Sequence, residues 1–186
     1  MAQRLLNKLL VNGDGRSGRI IEVEAYWGDQ DPASHAYRGR TERNSTMFRR
    51  GGHLYVYLSY GMHWCANVVC GPEGEAQAVL LRALEPVDGL DLMRAARWKA
   101  QRRQEDRDLC RGPGRLCQAM GIDRSHDGLD LTRPRSPIWL CDDGTPPPED
   151  PAGTTRVGIS VGTDLPWRFA IDGHPGVSRP VVGRTG

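Results

Sequence analysis

Apolar and polar residues alternate along residues 19–27, the stretch RIIEVEAYW. With the two-residue period of a β-strand, one face would carry four apolar side chains, Ile21, Val23, Ala25 and Trp27. The opposite face would carry Ile20, Glu22, Glu24 and Tyr26. β-Branched residues favour a strand here, and the segment GDQDP that follows would end it. The pattern therefore predicts a strand that holds two carboxylates beside an aromatic ring.

The same kind of pattern predicts further strands, most of them consecutive. Three candidates follow one another with short glycine-containing connections, at residues 54–60, 64–70 and 76–84. This spacing is typical of an antiparallel meander. Near the N-terminus, residues 5–11 form a short helix or a lead-in strand, and the turn sequence NGDG pairs them with the strand that starts at residue 19. Two later alternating segments, 157–161 and 167–171, are predicted to complete the sheet.

Residues 86–104 have the signals of a helix. Asp88 is the predicted N-cap, because its side chain can accept hydrogen bonds from the first free backbone amides. One face of this helix would carry Leu90, Met93 and Arg97.

A second helix is predicted for residues 111–121, with Pro113 in its first turn and Gly121 at its C-terminal end. The free amides at its N-terminus, with Arg115 alongside, would suit a phosphate group. Together with the strands, these two helices predict a single α+β domain.

Two segments are predicted to be loops. Residues 28–53 are polar and rich in glycine and arginine, and residues 142–153 contain four prolines. Loops as long as the first are uncommon in compact domains unless they have a function.

Length and composition are those of an ordinary globular protein. The 186 residues, 38% hydrophobic and 26% charged, are most simply one domain large enough to bury a core. Residues 1–11 are too short and too interrupted by charge for a signal peptide, and no apolar run is long enough to cross a bilayer. We therefore expect a cytoplasmic protein that does not contact membranes.

The five cysteines are most simply reduced thiols, because the sequence shows no export signal. A zinc site could be assembled from His53, His63, Cys65 and Cys70, but their spacing matches no standard zinc ribbon or finger. Buried thiols are the simpler interpretation, and we predict no metal site.

The net charge of +2 is small, but the charges are unevenly distributed. Residues 38–50 contain five arginines and one acid, Glu42. A second basic run, residues 94–115, is diluted by three acids, and it could equally be a solvated helix face. A chain polarised in this way could present one basic face to a phosphate backbone.

Aromatic residues give the two carboxylates of residues 19–27 a possible role. Residues 54–61 supply Tyr55, Tyr57 and Tyr60 close to a glycine turn. A carboxylate that is partly desolvated among aromatic rings is a candidate general base. The alternatives are a solvated strand face for Glu22 and Glu24 and core positions for the tyrosines, above all for Tyr55.

With these residues in view, the chain resembles the alkyladenine (3-methyladenine) DNA glycosylase family. The resemblance runs in order from about residue 9 to residue 177. It rests on EVEAY at 22–26 with His35, LYVY at 54–57 with YGM at 60–62, Asn67, LLRALEP at 80–86, and GP at 112–113 with LCQA at 116–119. It implies a monomer with a curved antiparallel sheet flanked by helices, without metal or cofactor. It also implies hydrolysis of the N-glycosidic bond of alkylated or deaminated purines in damaged double-stranded DNA.

The resemblance also implies roles for single residues. Glu24 matches the general base that activates the attacking water, and Arg82 matches the residue that helps to hold this water and the target nucleotide. The side chains that sandwich the flipped base would be Tyr26, His35 and Tyr57.

Further positions would recognise the lesion and the duplex. Asn67 matches the side chain that crowds a purine 2-amino group and so disfavours normal guanine. Tyr60 matches the wedge that is inserted where the base was. Candidate phosphate contacts are Met62, Arg43 and Arg115.

Two other function classes remain to be weighed. A nucleosidase could use Glu22 and Glu24 as a pair, but neighbours on one strand face lie about 7 Å apart on the same side, whereas paired glycosidase carboxylates flank the scissile bond. A non-catalytic nucleic-acid-binding module would need only the basic segments. The scarcity of lysines, Lys8 and Lys99 alone, argues against an amine nucleophile and for water.

Overall fold

The structure is a computed structural model that describes residues 1–98, 105–133 and 135–181. The strands are β1 (Leu9–Asn12), β2 (Ser17–Trp27), β3 (Leu54–Ser59), β4 (His63–Val69), β5 (Gln77–Asp88), β6 (Ile138–Cys141), β7 (Ala152–Thr154) and β8 (Arg168–Ala170). The helices are α1 (Ala2–Leu5), α2 (Leu90–Arg97) and α3 (Pro113–Met120).

The strands form one antiparallel sheet in the order β3-β4-β5-β2-β1-β6. Strand β2 has β5 along one edge, whereas its other edge is shared by β1 at Ser17–Arg19 and by β8 at Glu22–Glu24. Strand β7 pairs with the free edge of β8. The sheet curls into half a barrel, so the predicted α+β domain with a curved antiparallel sheet and flanking helices is confirmed.

Three register shifts interrupt the long pairing of β2 with β5: one between Ser17 and Gly18, and two around Glu22. Ile20 pairs with Leu84, Glu22 with Ala83, and Val23 with Leu81. Ile21 and Arg82 therefore have no register partners, and each is the extra residue of a β-bulge. Bulges of this kind redirect side chains and are frequent next to active sites.

The bulge at Ile21 changes the predicted assignment of residues to the two faces of β2. Ile20 packs in the main core together with Val23, although strict alternation places these two residues on opposite faces. The extra residue Ile21 resets the alternation before Glu22. The grouping of Glu22, Glu24 and Tyr26 on one face is right, whereas the placement of Ile20 with them is wrong.

The predicted meander of three strands is confirmed as β3, β4 and β5, and the turn at 12–15 joins β1 to β2 in antiparallel pairing. Of the two alternatives for residues 5–11, the lead-in strand is observed as β1, whereas α1 ends at Leu5. Residues 28–53 contain only two short 3-10 helices, as expected of a loop.

The C-terminal part of the sheet differs from the prediction. Residues 157–161 are a loop, and the strand that pairs with β8 is β7, a few residues earlier. The strand β6, which pairs with β1, was not predicted, because four residues without clear alternation carry little pattern.

The first predicted helix begins later than expected. Asp88 belongs to β5, where it pairs with Ser17 and accepts a hydrogen bond of 2.8 Å from the Ser17 hydroxyl. The N-cap of α2 is Gly89, at φ +70°, so the prediction of Asp88 as N-cap is wrong. Met93 and Arg97 are buried on the same face, as predicted. Positions 99–104 of the predicted helix lie outside the described residues.

The second helix agrees with the prediction: α3 has Pro113 at its first position and ends at Gly121, which has a left-handed conformation. Both α2 and α3 pack on the sheet and supply Met93, Leu116 and Met120 to the main core. A smaller core lies under residues 28–53, around Met47, Tyr55 and Val69. Two hydrophobic clusters thus fix the positions of the strands that carry the candidate site.

Within the described parts of the chain, no helix is both long enough and apolar enough to cross a bilayer. All five cysteines are free thiols, and Cys65, Cys110 and Cys117 are buried. Burial raises the pKa of Cys110 to about 12, so this thiol stays protonated near neutral pH. The interpretation of buried thiols is therefore confirmed for these three.

Candidate active site

A cavity of about 480 Å³ lies beside the face of β2 that carries Glu24 and Tyr26. The core strands, residues 33–47 and the loop at 157–159 all contribute to its wall. Most of the predicted site residues line it: Tyr26, His35, Arg43, Tyr57, Tyr60, Asn67 and Arg82. The structure therefore brings together side chains that are separated by more than 50 positions in the sequence.

The Glu24 side chain is fully buried and does not itself line this cavity, but it contacts three residues that do: Tyr26, Arg82 and Val157. Its Oε1 accepts a hydrogen bond of 2.7 Å from the backbone N–H of Val157 and lies 3.1 Å from Nη1 of Arg82. Its Oε2 accepts a hydrogen bond of 3.0 Å from the Tyr26 hydroxyl. Because a carboxylate oxygen can accept two hydrogen bonds, Oε2 keeps one acceptor position for a further donor.

Arg82 joins the two carboxylates of β2. Its Nε donates to Glu22 Oε1 at 2.8 Å, its Nη1 contacts Glu24, and its Nη2 donates to the Ser178 hydroxyl at 2.9 Å. The side chain is only 6% exposed, so these contacts are shielded from solvent. Arg82 is the extra residue of the bulge in β5, which turns its side chain toward β2.

Glu22 is held by a different set of partners and does not line the cavity. Its Oε1 accepts hydrogen bonds from Arg82, from Arg168 Nε at 2.7 Å and from the Ser178 hydroxyl at 2.8 Å, and its Oε2 accepts one from the Ser178 N–H at 2.5 Å. Burial raises the pKa of the Glu22 carboxyl, but the charges of Arg82 and Arg168 and the Ser178 amide outweigh burial and lower it. Glu22 is a structural anion, because two of its three partner residues, Arg168 and Ser178, do not line the cavity either.

We predict that Glu22 makes the stability of the fold depend on acid. Because its pKa is depressed in the folded state, its contribution is present above the ordinary value of 4.5 and is lost as the pH falls through the folded-state value. Replacing Glu22 by glutamine should lower the free energy of unfolding at neutral pH by about 3 kcal/mol, since Arg168 loses its buried partner. Urea unfolding from about pH 7 to about pH 3.5 should show this difference shrinking.

The exposed Glu73 provides the matched control for this experiment. Glu73→Gln should change stability by less than about 0.5 kcal/mol over the same range. An unfolding free energy of Glu22→Gln that parallels the wild-type curve at every pH would contradict the assignment.

The aromatic wall of the cavity is a packed group on β3. The Tyr57 ring stacks on Tyr55 at a centroid distance of 5.5 Å, and it meets His35 edge-on at 4.4 Å. The Tyr55 hydroxyl lies 3.1 Å from Nδ1 of His35. Tyr55 is 1% exposed, so the expectation of a core tyrosine is confirmed, and its hydroxyl also orients His35. Tyr57 thus has a fixed ring orientation at the cavity wall.

His35 is a neutral imidazole near pH 7. Burial, followed by the charge of Arg43, lowers the pKa of His35 below its ordinary value of 6.5. A neutral ring has one donor and one acceptor nitrogen, and Tyr55 engages Nδ1. His35 can therefore hydrogen-bond to a ligand through Nε2, but as a neutral ring it carries no imidazolium proton to donate.

Tyr26 and Asn67 lie on other parts of the wall. Burial and the neighbouring Glu24 raise the pKa of Tyr26, so its hydroxyl remains a donor to that carboxylate. Asn67 is buried on β4 and donates to the Tyr55 carbonyl at 3.1 Å, which fixes its amide. Both side chains hold defined orientations against the space inside the cavity.

Tyr60 stands at the mouth of the cavity in the turn between β3 and β4. It is 85% exposed and has a positive φ of 49°, followed by Gly61 at φ 68°. The interpretation of an interior strand tyrosine is therefore wrong for this residue. Helix α3 packs closely against the residue that follows this turn. A side chain at Gly114 would not fit there, because its Cβ would lie 2.9 Å from the Cβ of His63.

The predicted phosphate contacts occupy different places. Arg43 lines the cavity and the adjoining groove beside Tyr60, and it donates to the Leu58 carbonyl at 3.0 Å. Met62, which is 71% exposed, lies in the turn after Tyr60, and Arg115 is exposed on α3. These two residues do not line the cavity.

The second basic run is largely paired with its own acids. Arg94 contacts Asp91 and Asp106, and the remaining pairs are Arg107 with Glu105 and Arg111 with Asp108. Three of its basic residues, Lys99, Arg102 and Arg103, lie outside the described residues. The described part of this run thus resembles a solvated, ion-paired surface more than a bare cationic face.

A metal site is not formed by the described residues, which contain no cluster of three or more histidine, cysteine or acidic side chains able to hold an ion.

Sequence reasoning missed several residues that hold the site together. Val157 was assigned to a strand, yet its backbone amide binds Glu24 from a loop. Arg168 and Ser178 bind Glu22 from a distance of about 150 positions, and a loop-like tail gives no signal of such a contact. Asp31 and Arg156, which form a buried ion pair behind Tyr26, were also missed.

Comparisons with known proteins agree with the resemblance seen in the sequence. Residues 1–175 match the family model described as methylpurine-DNA glycosylase. A protein of Burkholderia lata is 59% identical over 184 residues, which cover 99% of this chain and 87% of the relative. Proteins of Nitrosospira multiformis and Chlorobaculum tepidum are 48% and 46% identical to it. These two matches cover 92% and 98% of this chain and 83% and 87% of the relatives. All three carry the name "Putative 3-methyladenine DNA glycosylase".

Proposed function

The chain belongs to the methylpurine-DNA glycosylase family, and from this membership and the geometry of its cavity we propose that it is a monofunctional DNA glycosylase of base excision repair. It flips alkylated or deaminated purines out of duplex DNA and hydrolyses the N-glycosidic bond with a water molecule that Glu24 activates. Its substrates are purines of the 3-methyladenine, 7-methylguanine, hypoxanthine and ethenoadenine class.

The observation that carries the proposal is the buried Glu24 carboxylate behind a base-sized cavity. Hydrolysis of the bond develops positive charge on the sugar, so a carboxylate nearby both stabilises that charge and takes a proton from water. The acceptor position left on Oε2 suits a water molecule between Glu24 and the sugar. The Val157 amide and Arg82 keep the carboxylate in one orientation.

The wall of the cavity suits a flipped purine. Tyr57 and Tyr26 offer flat faces, and stacking of a base on an aromatic side chain contributes roughly 1–3 kcal/mol. An alkylated purine that carries positive charge gains cation–π attraction on the same rings and is a good leaving group. A neutral lesion needs hydrogen bonds instead, and His35 supplies one through Nε2. Asn67 disfavours normal guanine because its fixed amide crowds a 2-amino group, whereas 7-methylguanine, which has the same group, gains the cation–π attraction of the rings.

Tyr60 is the wedge that enters the duplex when the base leaves it. Extrusion costs a few kcal/mol of lost stacking and pairing, and an exposed ring next to the cavity can replace part of that stacking. We predict that Tyr60→Ala weakens binding to a lesion duplex and slows excision by about 5- to 100-fold. Fluorescence anisotropy with a hypoxanthine duplex measures the binding.

The conservative variant separates stacking from other effects. Tyr60→Phe keeps the ring, so its affinity and rate should stay within about twofold of the wild-type values. An alanine variant that binds and excises like the wild type would mean that Tyr60 does not enter the duplex.

Water is the proposed nucleophile because no lysine of the described chain is available at the cavity. Lys8 pairs with Asp142 at 2.7 Å, and it is not among the residues that line the cavity. The other lysine of the sequence, Lys99, lies outside the described residues. Without an amine that attacks the sugar, the product is an intact abasic site.

Release of free purine from three substrates tests the proposed function. Methylated duplex DNA and a single-hypoxanthine duplex should lose purines, whereas free nucleosides should not. Release from free nucleosides but not from DNA would instead support a nucleosidase. Tight binding to DNA without release of any base would support a non-catalytic binding module.

A further inference from the structure

Asp31 and Arg156 form an ion pair that is completely excluded from solvent. Both side chains are 0% exposed, and they form a bidentate ion pair, with Nη1–Oδ2 at 2.5 Å and Nη2–Oδ1 at 2.8 Å. Burial lowers the pKa of Arg156, but the hydrogen bonds and charge of Asp31 outweigh it and raise that pKa, so the guanidinium stays charged. A buried pair of this kind contributes little to stability compared with apolar residues, so its presence calls for another explanation.

Arg156 supports the cavity from behind. Its guanidinium lies over the Tyr26 ring at 4.7 Å and over the Trp167 ring at 5.2 Å. Its Nη1 also donates to the Ala25 carbonyl of β2 at 3.0 Å. The next residue in the chain is Val157, whose amide binds Glu24. One side chain therefore sets the position of a cavity-lining ring and of the loop that orients the carboxylate.

Asp31 connects the ion pair to the end of β2 and to residues 31–35 of the cavity wall. Its Oδ2 accepts a hydrogen bond from the Trp27 amide at 3.3 Å, at the end of β2. Its Oδ1 accepts one of 3.0 Å from the amide of Ala33, which lines the cavity two residues before His35. The pair thus ties together β2, residues 31–35 and the loop at 156–159.

We propose that Asp31 and Arg156 are a positioning pair for base excision, and that the balance of their charges sets the preference of the cavity between cationic and neutral purines. This inference rests on the proposed function. Neither side chain lines the cavity, so the pair acts through Tyr26 and Val157.

The charge argument follows from the place of Arg156 behind the Tyr26 ring. A cationic purine stacked on the front face of this ring is attracted by the ring and repelled by a positive charge on its far side. In the wild-type protein Asp31 cancels that repulsion. Without the negative charge of Asp31, the repulsion between Arg156 and a cationic purine is no longer cancelled. A neutral purine is much less affected because it carries no net charge.

Three variants separate geometry from charge. Asp31→Asn keeps the shape and one acceptor but leaves Arg156 uncompensated, and Arg156→Met with Asp31→Asn removes both charges and the guanidinium. Arg94→Met, which breaks an exposed pair with Asp106, is the control for loss of an arginine elsewhere. Single-turnover rates with enzyme in excess are measured on 7-methylguanine and hypoxanthine duplexes, and thermal unfolding defines a temperature at which every variant is folded.

The double variant should lose about 10- to 100-fold in the rate for both bases, because small displacements of catalytic groups have effects of this size. Asp31→Asn should lower the ratio of 7-methylguanine to hypoxanthine excision by about three- to tenfold, and the double variant should restore that ratio. If the wild type does not release hypoxanthine, then ethenoadenine, a neutral purine of the same proposed substrate class, replaces it in this ratio. Arg94→Met should match the wild type.

Equal losses for both bases in Asp31→Asn, or wild-type rates in the double variant, would overturn the inference. These outcomes leave the proposed function intact, because the wild type still excises bases. A wild type that releases neither base would instead refute the proposed function itself.

Discussion

Glu24→Gln is expected to lower the single-turnover rate of base release by about 10³-fold or more, while affinity for a lesion duplex remains near the wild-type value. Glutamine keeps the shape of the side chain and can still accept the Val157 hydrogen bond, so the cavity should persist. It can neither take a proton from water nor stabilise positive charge on the sugar. The loss therefore falls on the chemical step and not on binding.

Two comparisons make this prediction specific. Glu73→Gln, an exposed carboxylate change, should leave both the rate and the affinity unchanged. Glu22→Gln should act mainly on stability, because Glu22 is engaged by Arg82, Arg168 and Ser178 and does not line the cavity. If Glu24→Gln kept a rate within about tenfold of the wild type, Glu24 would not be the general base.

Arg82→Met is expected to combine a large loss of stability with loss of excision. Without Arg82, the buried carboxylates of Glu22 and Glu24 lose the cation that they share. Removing one partner of a buried ion pair costs about 3–5 kcal/mol. Urea unfolding at neutral pH measures the stability, and single-turnover excision at a temperature where the variant is folded measures the rate. Because Arg82 also orients Glu24, we expect the rate to fall by about 10²-fold or more.

A double-mutant cycle tests whether the stability effect comes from the proposed contact. Adding Glu22→Gln to Arg82→Met removes one of the stranded charges, so the combined loss should be smaller than the sum by about 1–3 kcal/mol. Strict additivity of the two substitutions, or an Arg82→Met variant within about 0.5 kcal/mol of the wild type, would contradict this account of the charge cluster.

Much of the sheet was predictable because local signals decided it. Alternating residues, the NGDG turn and the glycine connections predicted the pairing of residues 5–11 with β2 and the meander of β3, β4 and β5. Pro113 and Gly121 likewise defined both ends of α3. The grouping of Glu24 with Tyr26 followed from the period of a strand, and their proximity to Tyr57 and Arg82 was expected from the resemblance.

The rest depended on contacts that no local pattern encodes. The bulge at Ile21 moved Ile20 into the core, since a register shift reflects the partner strand as much as the strand itself. Val157 to Ile159 alternate like a strand, yet β7 occupies the edge of β8. The hydrogen bond from Ser178 to Glu22 joins residues that are 156 positions apart, and such a contact can be seen only in the folded chain.

The electrostatic partners of the site were hidden for the same reason. Arg156 and Asp31 are 125 positions apart and surrounded by ordinary loop residues. Asp88 illustrates the opposite error, where a good local cap signal lost to a strand hydrogen bond with Ser17. Tertiary contacts decided both positions.

Hydrolysis by a water molecule that Glu24 activates can be tested in one assay on a duplex with a single hypoxanthine. Wild type and Glu24→Gln are reacted in excess over labelled DNA, with and without borohydride, and strand breaks are read before and after hot alkali. We expect breaks only after alkali with the wild type, almost none with Glu24→Gln, and no borohydride-trapped protein–DNA adduct. Breaks without alkali, or a trapped adduct, would show that an amine of the protein attacks the sugar and would contradict the account.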